Sequence, residues 1–417
     1  VDIAAVRDQR DVEEAVQAAL RTARPLEIIG HGSRRAVGQI LTVESGLDVS
    51  ALNAVRGYEP GELILTVEAG APLGDVMSLI DSKRQQFAFE PMDCAALLGS
   101  SGSGTVAGMI ASGFAGPRRV TAGGVRDHLL GAAAVSGFGE SFKTGGKVVK
   151  NVTGYDLCKL LAGSWGTLAV MTEVTLKVMP QPESAVTLLL RGLDDAAANR
   201  AMTVALASPF AVSGAAHVPA GVLSDALRAV GAAGEALTAL RLEGTELSVR
   251  HRLAALAGLL GAGAGESVGD EVSAALWRAL RDVLPFAATA ARGDWPVWRI
   301  VCAPAAASGI GLELVRRTGA ELFYDWGGGL IWAAVPPSQD AHAMVLRSSL
   351  KLSGAHATLI RATAEQRAQV DVFQPLSGVA AALHERVRIS FDPKSILNRG
   401  RLRREPRPRH TVPGAVP

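Results

Sequence analysis

The sequence predicts an α+β fold in two parts, the second of them ferredoxin-like, on three observations. Short apolar strands and amphipathic helices alternate through the first 180 residues. Sixteen of the 46 glycines crowd into the 68 residues from Gly99 to Gly166, about twice their share by length. From Pro180 the texture turns Ala/Leu-rich, and its last six elements spell β-α-β-β-α-β. A chain of 417 residues exceeds one ordinary domain. The expected division is 1–180, 181–370, a segment 371–402 closing back on the first part, and a basic, disordered tail 403–417.

Asp11-Val-Glu-Glu14 is a capping-box pattern, in which side-chain oxygens satisfy the free N–H groups of a first turn; it predicts a helix to about Thr22. Leu26 to Ile29 is a short strand, and Gly30-His-Gly-Ser-Arg-Arg35 a tight polar loop leaving its end. Ile40 to Asp48 and Glu62 to Ala69 read as further strands, the second alternating as ELILTVEA. Gly74 to Lys83 is an amphipathic helix, and Phe87 to Pro91 an extended approach to the glycine region. A helix from about Val106 to Ser112 follows, then strands near 129–136 and 168–178 with a helical turn from Tyr155 to Leu161 between them.

Beyond Pro180 the predicted strands are 185–190, 211–217, 239–243, 297–303, 322–325, 330–335 and 357–360. Helices are predicted over 194–207, 246–259, 307–318 and 341–352. The elements before residue 260 resemble a partial copy of the later unit. GAGAGESVG (261–269) reads as a loose connection, and 374–398 as a final helix and turn.

Glycine lets backbone N–H groups turn toward a bound group without a Cβ in the way. Composition alone leaves two readings of the glycine run: a cradle for a large anionic ligand, or tight turns between short strands. Gly102-Ser-Gly104-Thr-Val-Ala-Gly108 imitates a dinucleotide fingerprint, but its third spacing is one residue too long. No Lys follows Gly104 as a P-loop requires. Ala95 to Pro117 is uncharged and long enough to span a bilayer, yet too rich in Gly and Ser for an apolar helix. The first residues show no basic flank with an apolar run, which predicts no secretory signal and a cytoplasmic protein. Cys94, Cys158 and Cys302 stand apart without a CxxC, which suits a reducing compartment and excludes a self-contained iron–sulfur cluster. Net charge is +2, but residues 399–417 hold six Arg against one Glu, leaving residues 1–398 at −3. With aromatics scarce and no basic stripe among them, nucleic acid is not an expected partner.

GHGSRR (30–35), LTVEAGAPLGDV (65–76), FEPMD (89–93) and TVAGMIASGFAGPRRVTAGGVRDHLLG (105–131) together resemble one known family. To these add GGKVVKNVTGYDLCKLLAGSWGTLAVMTEVTLKVMP (145–180) and FDPKSILNRGRL (391–402). The family is the FAD-binding PCMH-type domain of the vanillyl-alcohol oxidase/p-cresol methylhydroxylase superfamily, most specifically the FAD-binding subunits of bacterial glycolate oxidases. Residues 1–180 match almost continuously; the middle of the chain matches mainly in element order. The resemblance implies a two-part FAD-binding PCMH-type domain followed by a ferredoxin-like α+β cap. It implies an FAD pyrophosphate held by Gly30, His31, Gly32, Ser33, Arg34 and Arg35. Gly104, Thr105, Gly108, Ser112, Gly113, Gly116, Pro117 and Arg118 would continue that cradle, with Pro91 and Arg126 beside it. Gly154, Tyr155, Asp156 and the turn carrying Gly163, Gly166, Thr167, Leu168 and Val170 would line the flavin and adenosine. Guanidinium suits phosphate, but each Arg here also reads as a solvated surface charge.

Members that attach flavin covalently use a His later in the first loop than His31, so the FAD is expected to be non-covalent. The family's 2-hydroxy-acid dehydrogenases carry an HxGDGN-type segment for a metal and the hydroxyl proton; it is absent here, and no metal is expected. The terminal turn reads NRGR (398–401) where the family commonly has NPGR, which affects local turn geometry. Oxidising a 2-hydroxy acid still needs a base and a cation for the carboxylate. His217 is the candidate base and Arg299 the candidate clamp, with Tyr324 and Asp325 nearby; each also reads as a structural residue. The expected function is an oxidoreductase subunit taking up or relaying electrons from glycolate. Its expected partners are a related flavoprotein subunit, an iron–sulfur subunit and a small 2-hydroxy acid, with the complex placed in the cytoplasm or at the inner membrane face. A subunit with purely structural FAD and an autonomous alcohol or sugar oxidase are the alternatives.

Overall fold

A computed structural model describes residues 2–146, 154–222, 227–228, 234–261, 266–351 and 353–404. The KVVKNVT part of the family signature, the AGAG of the expected connection and the tail from residue 405 lie outside the described residues.

The first part is built on two larger sheets, beside a two-stranded pairing of Gln85–Gln86 with Met179–Pro180. Asp2–Ala5, Ser45–Asp48 and Leu26–Ile29 form a parallel trio with the middle strand last in sequence. An antiparallel sheet of five runs in the order Val55–Glu59, Ile64–Glu68, Ala169–Lys177, Leu129–Ser136 and Ser141–Gly145. Its inner strands are buried on both faces: Ile64–Glu68 is buried throughout, so ELILTVEA does not alternate in the fold. The first helix begins at Gln9, earlier than expected, because Asp8 rather than Asp11 is its cap and accepts the Asp11 N–H at 2.9 Å. The strand expected from Ile40 shrinks to Ser45–Asp48. Two edge strands, Val55–Glu59 and Ser141–Gly145, went unpredicted because both are largely exposed and carry little apolar signal.

The second part is an antiparallel sheet of eight strands. Val297–Val301, Glu321–Asp325, Leu330–Ala334 and His356–Arg361 make one ferredoxin-like unit, its helices Ala307–Thr318 and Ala343–Leu350 lying in the expected places. The earlier copy is complete. Ser184–Arg191, Val212–Val218 and Leu237–Gly244 are joined by a fourth strand, Glu266–Val268, within the stretch expected to be loose. Both units have the same strand order, and they meet where His217 pairs with Tyr324. One face is covered by helices around Trp298, Leu314 and Leu346. The opposite face, with Phe323, Leu330 and Trp332, packs on Met92, Leu97 and Phe114 of the first part. Helix Asp270–Arg281, also unpredicted, adds Leu276 and Trp277 to that interface.

Candidate active site

A cleft opens at the C-terminal end of strand Leu26–Ile29. Its floor is the loop from Gly30 to Arg35, folded by Arg35 N–H to Gly32 O at 3.0 Å and Val37 N–H to Arg34 O at 3.0 Å. Across from it stands helix Val106–Ser112, capped by Thr105, whose hydroxyl accepts the Gly108 N–H at 3.1 Å. A Cβ on Gly30 would lie 2.8 Å from Thr105 Oγ1, so the loop sits this close to the helix only as glycine. Trp165 and Gly166 close one side, the Trp165 N–H donating to Ala111 O at 2.9 Å.

Asn398 and Arg401 complete the wall, giving the NRGR turn a role well beyond local geometry. Asn398 accepts the Ile28 N–H at 2.8 Å and donates to Trp165 O at 2.8 Å, pinning the strand to the aromatic turn. Asn398→Ala leaves the Ile28 N–H without its partner and is expected to destabilise the protein by about 1–3 kcal/mol, read as a lower midpoint in thermal unfolding. Arg401 donates to Val37 O at 2.9 Å and to Glu27 at 3.1 Å. Glu27, buried in the strand, also takes Arg35 through both oxygens. Trp165 falls within the GSWGTLAV turn (163–170) expected to line the flavin, whereas Glu27, Asn398 and Arg401 were not among the expected site residues; for Glu27 the available signal was a carboxylate inside the apolar run LEII.

Of the expected cofactor residues, Gly30 to Arg35, Thr105, Gly108 and Gly166 line the cleft. Gly104 lies directly beneath, its ideal Cβ 2.3 Å from Ser33 Oγ. The arginines behave differently from expectation. Arg34 is buried and donates to Met92 O at 3.0 Å, while its Nε has no partner among the described residues. Arg35 is spent on Glu27, which raises its pKa. Arg126 is exposed and away from the cleft. Ser112, Gly113 and Gly163 pack behind the helix, Gly163 donating to Ile110 O at 3.0 Å, and Thr167 hydrogen-bonds Ser164 O at 2.7 Å. Leu168 and Val170 belong to two different cores. Gly154, Tyr155 and Asp156 are exposed, Tyr155 by 90%, and Asp156 pairs with Lys159 at 3.3 Å.

Arg118 departs furthest from its expected role. It grips Glu243 of the second part through two bonds of 3.0 and 2.8 Å. Arg241 in turn holds Glu90 of the first part at 2.8 and 3.0 Å and stacks on Trp277. Pro91, Gly116 and Pro117 form the backbone around this clamp, Gly116 N–H donating to Phe89 O at 2.9 Å. Burial would raise both carboxyls, but the guanidinium groups outweigh it, holding Glu90 below the ordinary value and Glu243 down at about 2. These charges join the two parts rather than face a phosphate.

Strand parity sorts the cap candidates. His217 and Tyr324 point with Ala215 into the helix layer, away from the first part. His217 Nδ1 meets Thr238 Oγ1 at 2.9 Å, and Tyr324 donates to Asp195 Oδ2 at 2.5 Å. Burial and that bond raise the Tyr324 pKa. The structure thus corrects the candidate base: on a two-sided sheet His217 lies on the far face. Arg299 and Asp325 share the parity of Val297 and Phe323, which face the first part. Arg299 is half-buried, its guanidinium 5.7 Å from the Phe114 ring centroid and 5.1 Å from that of Trp326. Phe114 leans edge-on against Trp165 of the cleft wall, at 5.8 Å. Burial and the neighbouring Arg119 lower Arg299 to about 10. Asp325 accepts the Trp326 N–H at 2.7 Å, and burial pushes its carboxyl up to about 7.

The cleft suits an FAD. Gly32, at φ +70°, has nothing within 4 Å of its ideal Cβ position, so its backbone is bare toward an incoming phosphate. The comparisons agree. The FAD-binding-domain family model matches residues 3–145. The p-cresol methylhydroxylase structure with substrate bound superposes with a TM-score of 0.70 at 14% identity, covering 97% of this chain and 88% of that one, which establishes the fold. Glycolate oxidase subunit GlcD of Bacillus subtilis is 35% identical over 33% of this chain and 28% of its own length. Glycolate oxidase subunit GlcE of Escherichia coli K12 is 32% identical over 93% of this chain and 95% of its own length. The α+β fold, the FAD cleft and a likeness running nearly end to end show that the chain belongs to the GlcE family of FAD-linked oxidoreductases.

Proposed function

We propose that this chain is the FAD-binding subunit of a multi-subunit complex that oxidises glycolate, a 2-hydroxy acid, to glyoxylate. The observation that carries it is the Gly30–Arg35 cleft walled by Trp165, Asn398 and Arg401, in a chain similar along nearly its whole length to a glycolate oxidase subunit. Bound FAD supplies a hydride acceptor. Backbone N–H groups of Gly30 to Ser33 hold its pyrophosphate, and Trp165 with Gly166 shapes the wall beside it. Arg299 orients the substrate carboxylate, and Asp325 is the carboxyl on the same face able to take the hydroxyl proton. His217 and Tyr324 tie the two cap units together. A related flavoprotein subunit and an iron–sulfur subunit complete the complex, since Cys94, Cys158 and Cys302 are free and scattered. Among the described residues no helix is long and apolar enough to cross a membrane. In this reading any association with the membrane face comes through the complex.

A second reading has its own support: among the described residues no imidazole faces the first part beside Arg299, and the proton acceptor then belongs to a partner. Anaerobic glycolate added to the purified chain separates the two. Bleaching of the flavin spectrum by glycolate alone supports chemistry on this chain; bleaching only with partners supports a relay. An absent flavin spectrum in the pure protein would sink both.

A further inference from the structure

Trp326 carries two guanidinium groups. Arg299, from the cap strand, lies 5.1 Å from its ring centroid, and Arg119, from helix Arg119–Ala122 of the first part, lies 4.8 Å from it. Among the described residues neither side chain has a hydrogen bond or an ion pair. The other arginines between the two parts contrast with them: Arg118 and Arg241 grip carboxylates in bidentate pairs. The nearby acid is Asp325, whose Oδ1 is engaged by the Trp326 N–H and whose own surroundings disfavour its charged form. Two cations near one indole repel each other, and the mutual effect is felt at Arg299. An anion seated between them would offset that repulsion.

We propose that Arg119 and Arg299 form a split carboxylate clamp, one guanidinium from each part of the chain, for a small 2-hydroxy or 2-oxo monocarboxylate. The proposal rests on the reading above, in which Arg299 takes the substrate carboxylate, and adds Arg119 as a second, specificity-determining contact. Trp326 holds both guanidinium groups in place by stacking, itself fixed by its indole N–H on Gly116 O at 3.0 Å. The carboxylate then bridges the two parts, so binding tightens the cap on the flavin layer.

Oxalate tests this without turnover, since it has the carboxylate and no C–H to oxidise. Its binding to the flavin-loaded full chain is measured by calorimetry and by thermal shift, for the wild type, Arg119→Gln, Arg119→Lys and Arg299→Gln. Arg119 is exposed, so its loss is expected to weaken oxalate by roughly two- to fivefold. Lys at 119 should recover part of this, and the oxalate-induced rise in melting temperature should shrink in step. Unchanged flavin spectra of the variants show that the fold is intact. If Arg299→Gln loses oxalate while Arg119→Gln binds like the wild type, the split clamp is wrong and Arg299's role stands. If neither change matters, or the wild type does not bind oxalate, the clamp is wrong altogether. Glycolate oxidation by this family member is judged apart from both, by bleaching of the wild-type flavin.

Discussion

Replacing Arg241 by Met is expected to destabilise the protein by about 3–5 kcal/mol at neutral pH, the range for stranding one buried charge. Arg241 is almost wholly buried and supplies two hydrogen bonds to Glu90, one to Ser213 Oγ at 3.1 Å and a stacked face to Trp277. Methionine fills much of that volume but leaves Glu90 inside without its main counter-charge. The pH dependence has a definite sign. In the wild type the Glu90 and Glu243 carboxyls lie below their unfolded values. Their contribution is complete above about 4.5 and, for Glu243, fades as pH falls toward about 2. In the variant, Glu90 is buried and underpaired, so its folded value rises and acidification relieves the strain. The deficit, measured by denaturant unfolding, should therefore be largest at neutral pH and shrink in acid. Adding Glu90→Gln should recover part of it. A double variant no better than the single one would mean that the pairing account is wrong.

Why that clamp stayed hidden in the sequence is a matter of distance. Arg118 sits beside glycines and another arginine, and its local surroundings fit a phosphate; its partner Glu243 is 125 residues away. Elements with their own termini written into the chain were legible. Helix Val106–Ser112 has a Thr cap and a left-handed Gly113, and helix Ala307–Thr318 ends at a left-handed Gly319. Edge strands such as Ser141–Gly145, with one face in water and no apolar run, were not. His217 shows a subtler failure. The alternation of Val212–Val218 could be read, but every residue of that strand is buried. Periodicity then separates two faces without saying which one meets the flavin layer. The glycine loops read as a cradle once the family motifs were assembled, and FDPKSILNRGRL marked the closing segment, but that its Asn398 and Arg401 reach the cleft depends on contacts across the length of the chain.

Gly104→Ala should yield a folded chain that binds FAD at least about tenfold more weakly, a factor for which a displacement of the phosphate-facing loop needs to cost only about 1.4 kcal/mol of binding. Gly104 has φ +85°, and its backbone O accepts the Leu73 N–H at 2.9 Å, so the residue cannot turn away. An added Cβ would lie 2.3 Å from Ser33 Oγ and 2.9 Å from Arg34 Nη1. The Ser33 hydroxyl can rotate. Arg34 cannot move freely, being buried with its other nitrogen on Met92 O. The Gly30–Arg35 loop must therefore lift into the cleft where the pyrophosphate belongs. Gly102→Ala is the matched control: it has φ +70° in the same loop but nothing within 4 Å of the new Cβ, so it carries the strain without the clash. Flavin content per chain after purification, with an FAD titration of the stripped protein, compares the two. Gly102→Ala should keep its flavin and Gly104→Ala should lose most of it. Equal flavin in both would mean that the loop above Gly104 does not hold the cofactor.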